Sequence, residues 1–299
     1  MKMTNKFIYS VIFLLVLLVS CEDAFETTLE IDPPEVPNAL VLNSFISQSD
    51  STVFLSVGKV QNLVELDASL GGVDDANVWI QKSSTGEVIE AQNLDSGFPM
   101  NYSFDLEEGW ISSNSEYEIF VEHPDYPSVS AMQIMPEEPS VVSIEYNEDG
   151  GIDQDGDDAS EIILQIEDRP GKQYFEILLF EYYEQGEFFS LGSRIDLTST
   201  DPSTIEGYNY HTLLVDDETF EGESKSLTVK FRRYFSDHTR YYLLIRGTTE
   251  DYFKYSKTLR LEDESEDNPF QTPVQVFSNV EGGFGIFSLF SEKSFIFDK

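Results

Sequence analysis

Asn77-Val78-Trp79-Ile80-Gln81-Lys82 and Glu116-Tyr117-Glu118-Ile119-Phe120-Val121-Glu122-His123 are the stretches whose reading decides the fold class. Val78 and Ile80 in the first, and Tyr117, Ile119 and Val121 in the second, recur at every second position. A period of two places them on one face of a pleated strand, whereas a helix would need a period near 3.6. Working outward, similar short runs occupy Leu40–Ser47, Thr52–Val60, Glu87–Asn93, Asn101–Leu106 and Ser128–Met135, with Gly86, Gly97 and Gly109 in the connections. Seven short strands with turn residues between them predict a β-sandwich of immunoglobulin or transthyretin type.

Pro136-Glu137-Glu138-Pro139 interrupts this pattern, because proline donates no hydrogen to a ladder, and sets an expected boundary at residue 138. Beyond it, Val141–Tyr146, Ile162–Ile166 and the aromatic-rich Tyr174–Tyr183, with Glu176 and Glu181 inside it, read as further strands. Leu227, Val229 and Phe231 alternate with polar neighbours, and a Ser236-Asp237-His238 turn then leads to Arg240–Arg246, which predicts a hairpin. Thr249 followed by Glu250 and Asp251 predicts a helix over 249–260, with Tyr252, Tyr255, Ser256 and Leu259 on one face. The acidic run Glu262–Asp267 reads as a loop, and Val274–Phe277 and Ile286–Phe290 as closing strands. The expected architecture is mainly β: two consecutive β-sandwich domains of immunoglobulin, transthyretin or fibronectin kind, at 39–138 and 139–299, with one short helix in the second.

Charge and composition limit the function. Of 299 residues, 56 are acidic and 18 basic, a formal charge of -38 that opposes nucleic acid and anionic lipid headgroups. With 40% hydrophobic and 13% aromatic residues the chain nevertheless has ample surface to bury, so it is expected to fold. At the N-terminus, Lys2 and Lys6 precede the apolar run Phe7 to Val19, which is too short to span about 30 Å of hydrocarbon comfortably. Leu18-Val19-Ser20-Cys21 then places a small residue before the sole cysteine, the pattern of a lipoprotein signal peptide over 1–20 and acylation at Cys21. No intramolecular disulfide is available, so packing alone must hold the fold. Removing residues 1–20 takes Lys2 and Lys6 and moves the formal charge from -38 to -40. Residues 21–38 carry six acidic side chains, no Lys or Arg, and Pro33, Pro34 and Pro37, and read as an extended tether. Membrane attachment is expected through the lipid anchor only.

Glu250-Asp251-Tyr252-Phe253-Lys254-Tyr255, Asn268-Pro269-Phe270, Pro273, Ser278-Asn279-Val280 and Gly282-Gly283-Phe284-Gly285-Ile286-Phe287 resemble the terminal motifs of the Bacteroidota lipoprotein family catalogued as domain of unknown function 4249. Cys21-Glu22-Asp23, with Glu26 beyond, is similar to the acidic export signal that sends Bacteroidota lipoproteins to the cell surface. The resemblance implies β-sandwich domains, an outer-membrane location facing the cell exterior, and a SusC-like TonB-dependent barrel as partner. It implies no catalytic residue. The function so implied is a non-enzymatic accessory subunit in ligand capture or transport, with a structural or assembly subunit as the alternative and a carboxylate-based glycoside hydrolase as the third reading.

Two constellations remain. Asp153, Asp155 and Asp157 set oxygens at alternate positions, the spacing a wrapped calcium ion needs, although Asp158 and Leu164 replace the glycine and glutamate of an EF-hand. Apart from that weak calcium site no cofactor is expected. Lys230, Arg232, Arg233 and Arg240 interleave with Phe231, Tyr234, Phe235, Tyr241 and Tyr242, which hairpin alternation explains and which could also form a local positive docking face. The three histidines, His123, His211 and His238, fall in no HExxH arrangement, and neither a GxSxG elbow nor a Walker loop is present. Gly282-Gly283-Phe284-Gly285 lacks the Lys-Ser/Thr of a phosphate cradle and reads as a tight turn.

Overall fold

The computed structural model describes residues 36–61, 71–94, 99–153, 156–185, 188–207, 211–220, 222–233, 240–266, 272 and 274–298. Cys21, Glu22, Asp23, Glu26, Asp155, the Ser236-Asp237-His238 turn and Asn268-Pro269-Phe270 lie outside these residues.

The chain is mainly β. Its first eight strands are β1 (Leu40–Ser47), β2 (Thr52–Lys59), β3 (Asn77–Lys82), β4 (Glu87–Glu90), β5 (Gln92–Asn93), β6 (Tyr102–Asp105), β7 (Glu116–His123) and β8 (Tyr126–Ile134). They are followed by β9 (Val141–Asn147), β10 (Ala159–Ile166), β11 (Tyr174–Gln185), β12 (Phe188–Ile195), β13 (Thr204–Glu206), β14 (Thr212–Asp216), β15 (Lys225–Arg232) and β16 (Arg240–Thr248). Helix α1 (Glu250–Glu266) and the long strand β17 (Phe284–Asp298) complete the order.

One sheet runs β13-β14-β11-β16-β17-β1-β2-β6-β5, with β12 added on β11; the others are β4-β3-β7-β8 and β15-β10-β9. Strand β17 holds the long sheet together. Its residues Phe284 to Phe290 pair in parallel with β1, and Ser291 to Asp298 pair antiparallel with β16. Each half of this sheet covers one of the smaller sheets. Leu42, Leu55, Phe104, Ile80, Ile119 and Phe287 belong to one apolar cluster. Ile162, Leu164, Leu179, Val229, Leu243 and Ile245 belong to a second, against which Phe295 and Phe297 pack. The strict alternation read from the sequence is what builds both: β7 and β10 each send every second side chain inward.

Residue 138 falls between the strands of the two clusters, yet Val280, Phe287 and Leu289, far beyond it, sit in the first. The segment at the boundary is pinned rather than slack. The carbonyl of Glu137 accepts Ser291 Oγ at 2.6 Å, and Lys293 pairs with Glu138 at 3.3 Å.

Several expectations are corrected. β15 and β16 form no hairpin: β15 pairs with β10, and β16 with β11 and β17, so consecutive strands enter different sheets. Alternation specifies which side of a strand is apolar and says nothing about its neighbour. The run Glu87–Asn93 splits into β4 and β5, which belong to separate sheets. The helix begins where expected, with Thr249 Oγ1 accepting the Tyr252 N–H at 3.3 Å, but continues through the acidic run to Glu266. In that added stretch Arg260 pairs with Glu264, one turn on, at 2.9 Å, and with Glu206 at 3.6 Å. Val274 to Phe277 form no strand. The glycine cluster does more than turn: a β-carbon on Gly283 or Gly285 would run into the carbonyl of Leu40 or Leu42, so glycine lets β17 lie beside β1.

Candidate functional site

The face of the long sheet turned away from the second apolar cluster is built in cross-strand rows. Register aligns Glu176, Arg246 and Glu292 in one row, Leu178, Leu244 and Ser294 in the next, then Phe180, Tyr242 and Ile296, then Tyr182, Arg240 and Asp298. The hairpin partner β12 adds Arg194 opposite Phe180 and Leu191 opposite Tyr182. Directly opposed side chains share a face, so these rows form one surface.

Helix α1 lies over the first row and seals it. Phe253 packs on Tyr174 with ring centroids 5.1 Å apart, while Tyr252 meets Phe290 edge-on at 4.8 Å. Phe45 from β1 stacks on Phe290 at 6.3 Å and touches Tyr255, and the Arg246 guanidinium lies 4.9 Å over the Phe290 ring. Beneath these rings, Tyr252 donates its hydroxyl to Glu176 Oε1 at 2.8 Å, and Arg246 spans Glu176 at 3.3 Å and Glu292 at 2.8 Å. Glu292 also accepts Ser47 Oγ at 2.7 Å, and the Ser47 N–H donates to Asp50 at 2.7 Å.

Burial, then the Glu176 carboxylate, pushes the Tyr252 hydroxyl well above its ordinary pKa. For Arg246 burial works toward a lower value, but Glu176 and Glu292 together outweigh it and raise the pKa, so the guanidinium stays charged. The two carboxylates grip one guanidinium between them. A glycoside hydrolase pair would instead flank the scissile bond, so this arrangement serves to anchor the helix on the sheet. Sequence reading missed the network, although Glu176 inside an aromatic run and Arg246 at the end of a strand were its visible signals.

Asp251 and Asn279, from the motifs that carry the family resemblance, do related work. Asp251 accepts Gln133 Nε2 at 2.6 Å, and Asn279 clamps the backbone of Phe287, accepting its N–H at 2.9 Å and donating to its carbonyl at 2.8 Å.

Beyond the helix the surface opens. Phe188 and Phe189 at the β11–β12 hairpin are 82% and 71% exposed, and Leu191, Tyr183 and Ile296 are exposed as well. Tyr182 stacks on Phe189 at 6.1 Å, and Arg240 lies 5.3 Å over the Tyr182 ring. Apolar groups this exposed on one hairpin are the usual mark of an interaction surface.

The positive face read from the sequence does not assemble as expected, since Lys230 and Arg232 stand on β15, Arg233 follows it, and Arg240 stands on β16 in another sheet. Each is engaged. Lys230 donates to the Ile152 carbonyl at 2.8 Å, Arg232 pairs with Asp157 at 3.5 Å, Arg233 with Glu148 at 3.1 Å, and Arg240 with Glu184 and with Asp298 at 2.7 Å. Carboxylates thus take the three arginines, and a backbone carbonyl takes Lys230. Of the proposed calcium ligands, Asp153 accepts the Asp157 N–H at 2.9 Å, and Asp157 faces Arg232. The Asp153 carboxylate thus closes its own loop while that of Asp157 turns to β15, and no group of three metal-ligating side chains is present among the described residues.

The family model described as "Domain of unknown function (DUF4249)" matches residues 26–296. The chain belongs to the DUF4249 family. Within this DUF4249 chain no described helix is long and apolar enough to cross a membrane. No curated protein matches the sequence significantly. Among solved structures, similarity is found to a DUF4785 family protein from Legionella pneumophila, at 12% identity over 70% of this chain and a TM-score of 0.22. The DUF4249 chain spans about half of that protein, 51% of its length. A DUF3823 family protein from Bacteroides uniformis matches at 12% identity over 87% of this chain and 99% of its own, with a TM-score of 0.22. The full-length major pilin SpaD from Corynebacterium diphtheriae matches at 11% identity over 90% of this chain and 67% of its own, with a TM-score of 0.21.

Proposed function

We propose that this DUF4249 protein is a non-enzymatic accessory subunit of an outer-membrane assembly, acylated at Cys21, displayed toward the cell exterior, and partnered with a SusC-like TonB-dependent barrel. The observation that carries the reading is the exposed aromatic hairpin, whose Phe189 and Leu191 continue through Tyr182, Phe180 and Tyr242 into the sheet face, while Phe188 and Tyr183 stand on its other side. A protein bearing a formal charge of -38 stays apart from its neighbours unless a local apolar surface overrides the repulsion. Docking is favoured over capture of a small ligand by a tryptophan-lined cleft, because both tryptophans are spent on packing. Trp79 stacks on Phe120 at 5.1 Å, and Trp110, 9% exposed, packs on Tyr117 at 5.2 Å.

The test is affinity purification of the full-length acylated protein from outer membranes, beside a Phe188→Ser/Phe189→Ser variant. A TonB-dependent barrel is expected with the wild type and about tenfold less of it with the variant, the scale of losing two exposed apolar anchors. The melting temperature should not change. Equal recovery of the barrel would remove the hairpin as the docking element, and absence of a barrel from both samples would overturn the partner.

A further inference from the structure

A second feature lies at the other end of β11 and β16, apart from the aromatic hairpin. Where Pro136 and Glu137 pass the start of β11 and the end of β16, they leave a groove of about 420 Å³. Met135, Phe175 and Thr248 line its buried side, and Arg169 and Lys172 stand at its opening. These two cations flank Pro170 and Gly171, with Gly171 at a φ of +101° that bends the loop sharply. A chain with 18 basic residues against 56 acidic ones has few such places.

The polar rim of the groove points to a ligand. A carboxylate already sits on the guanidinium: Arg169 Nη1 donates to Glu137 Oε2 at 2.7 Å, and Asn114 Nδ2 donates to Glu137 Oε1 at 2.8 Å. Hydrogen bonds from Asn114 and then Arg169 hold the Glu137 carboxyl below its ordinary range.

We propose that this groove binds a small organic carboxylate with an apolar body, whose carboxylate takes the place of Glu137 on Arg169. Guanidinium favours a carboxylate through its planar fork of donors, and Lys172 adds a second positive charge nearby. Ile134, Pro136 and Pro170 supply the apolar wall over the buried Met135 and Phe175, and the volume lies within the range of small-ligand sites. Glu137 thereby acts as a tethered competitor that any incoming acid must displace.

The experiment titrates the full chain with N-acetylphenylalanine and, separately, with its neutral amide at the same ionic strength, following binding by calorimetry. The acid should bind and the amide should not. Glu137→Gln, which removes the competing charge, should tighten the acid about two- to fivefold, the worth of an exposed ion pair. Arg169→Gln should weaken it about tenfold or more, as loss of a charge-assisted pair does. Should Arg169→Gln fail to fold, the acid-amide contrast and the Glu137→Gln gain decide the matter. Equal binding of acid and amide, no binding of the acid, or an affinity unchanged by Glu137→Gln would overturn the proposal.

Discussion

Asp50 shows how a single side chain carries the strain of so acidic a protein. It sits beside the Arg246 network, accepting the Ser47 N–H, and burial followed by the charge of Glu292 raises its pKa above the ordinary value. The folded state therefore holds this proton more tightly than the unfolded state. Stability from the group is fullest below the unfolded pKa, near 3.9, and is lost as pH rises through the higher folded value. Asn at this position keeps the acceptor and removes the charge. Asp50→Asn should stabilise the protein at neutral pH by about 0.5 kcal/mol, a figure discounted for the solvent that reaches a half-exposed group. Urea unfolding at pH 7 and at about pH 3.5 checks this, with the gain disappearing at the acid end. The residue types were legible in the sequence; that Glu292 faces Asp50 across more than two hundred positions was not.

Among elements, β17 depends most on glycine. Gly285 pairs with Leu42 in the parallel ladder at a φ of +111°, and any side chain there meets the Leu42 carbonyl. Gly285→Ala combines that collision with a backbone conformation alanine rarely adopts, and should cost at least about 3 kcal/mol in a chemical melt. Retention of wild-type stability would mean that β1 and β17 separate without consequence. A turn was the natural reading of the glycines, because close approach of a strand distant in sequence leaves no local mark. Helix α1 teaches the converse: its Thr249 cap is local and was readable, whereas its acidic last turn, where Glu264 pairs with Arg260, read as loop.

At the scale of the whole molecule, the two apolar cores share their last strand. Val280, Phe287 and Leu289 complete the core whose other residues lie before residue 138, and each contributes about 1.5–3 kcal/mol on burial. Their sum is comparable with the ~5–15 kcal/mol that holds a whole domain together. A fragment of residues 37–138 alone should therefore show no cooperative thermal transition by calorimetry, in contrast to the full chain, and a sharp transition from the fragment would establish the first core as independent. The sequence by itself determined the mainly β class, most strands of the first half, the start of the helix and the excess of negative charge, since alternation, capping and composition are local properties. Only the tertiary structure decided that β15 and β16 part into different sheets, that β17 joins both cores, that Lys230, Arg232, Arg233 and Arg240 are engaged separately, and that Glu176 and Glu292 meet on Arg246. Period two fixes which face of a strand is apolar, but the identity of its neighbour is settled by the competition among all strands to pair and to cover that face at once.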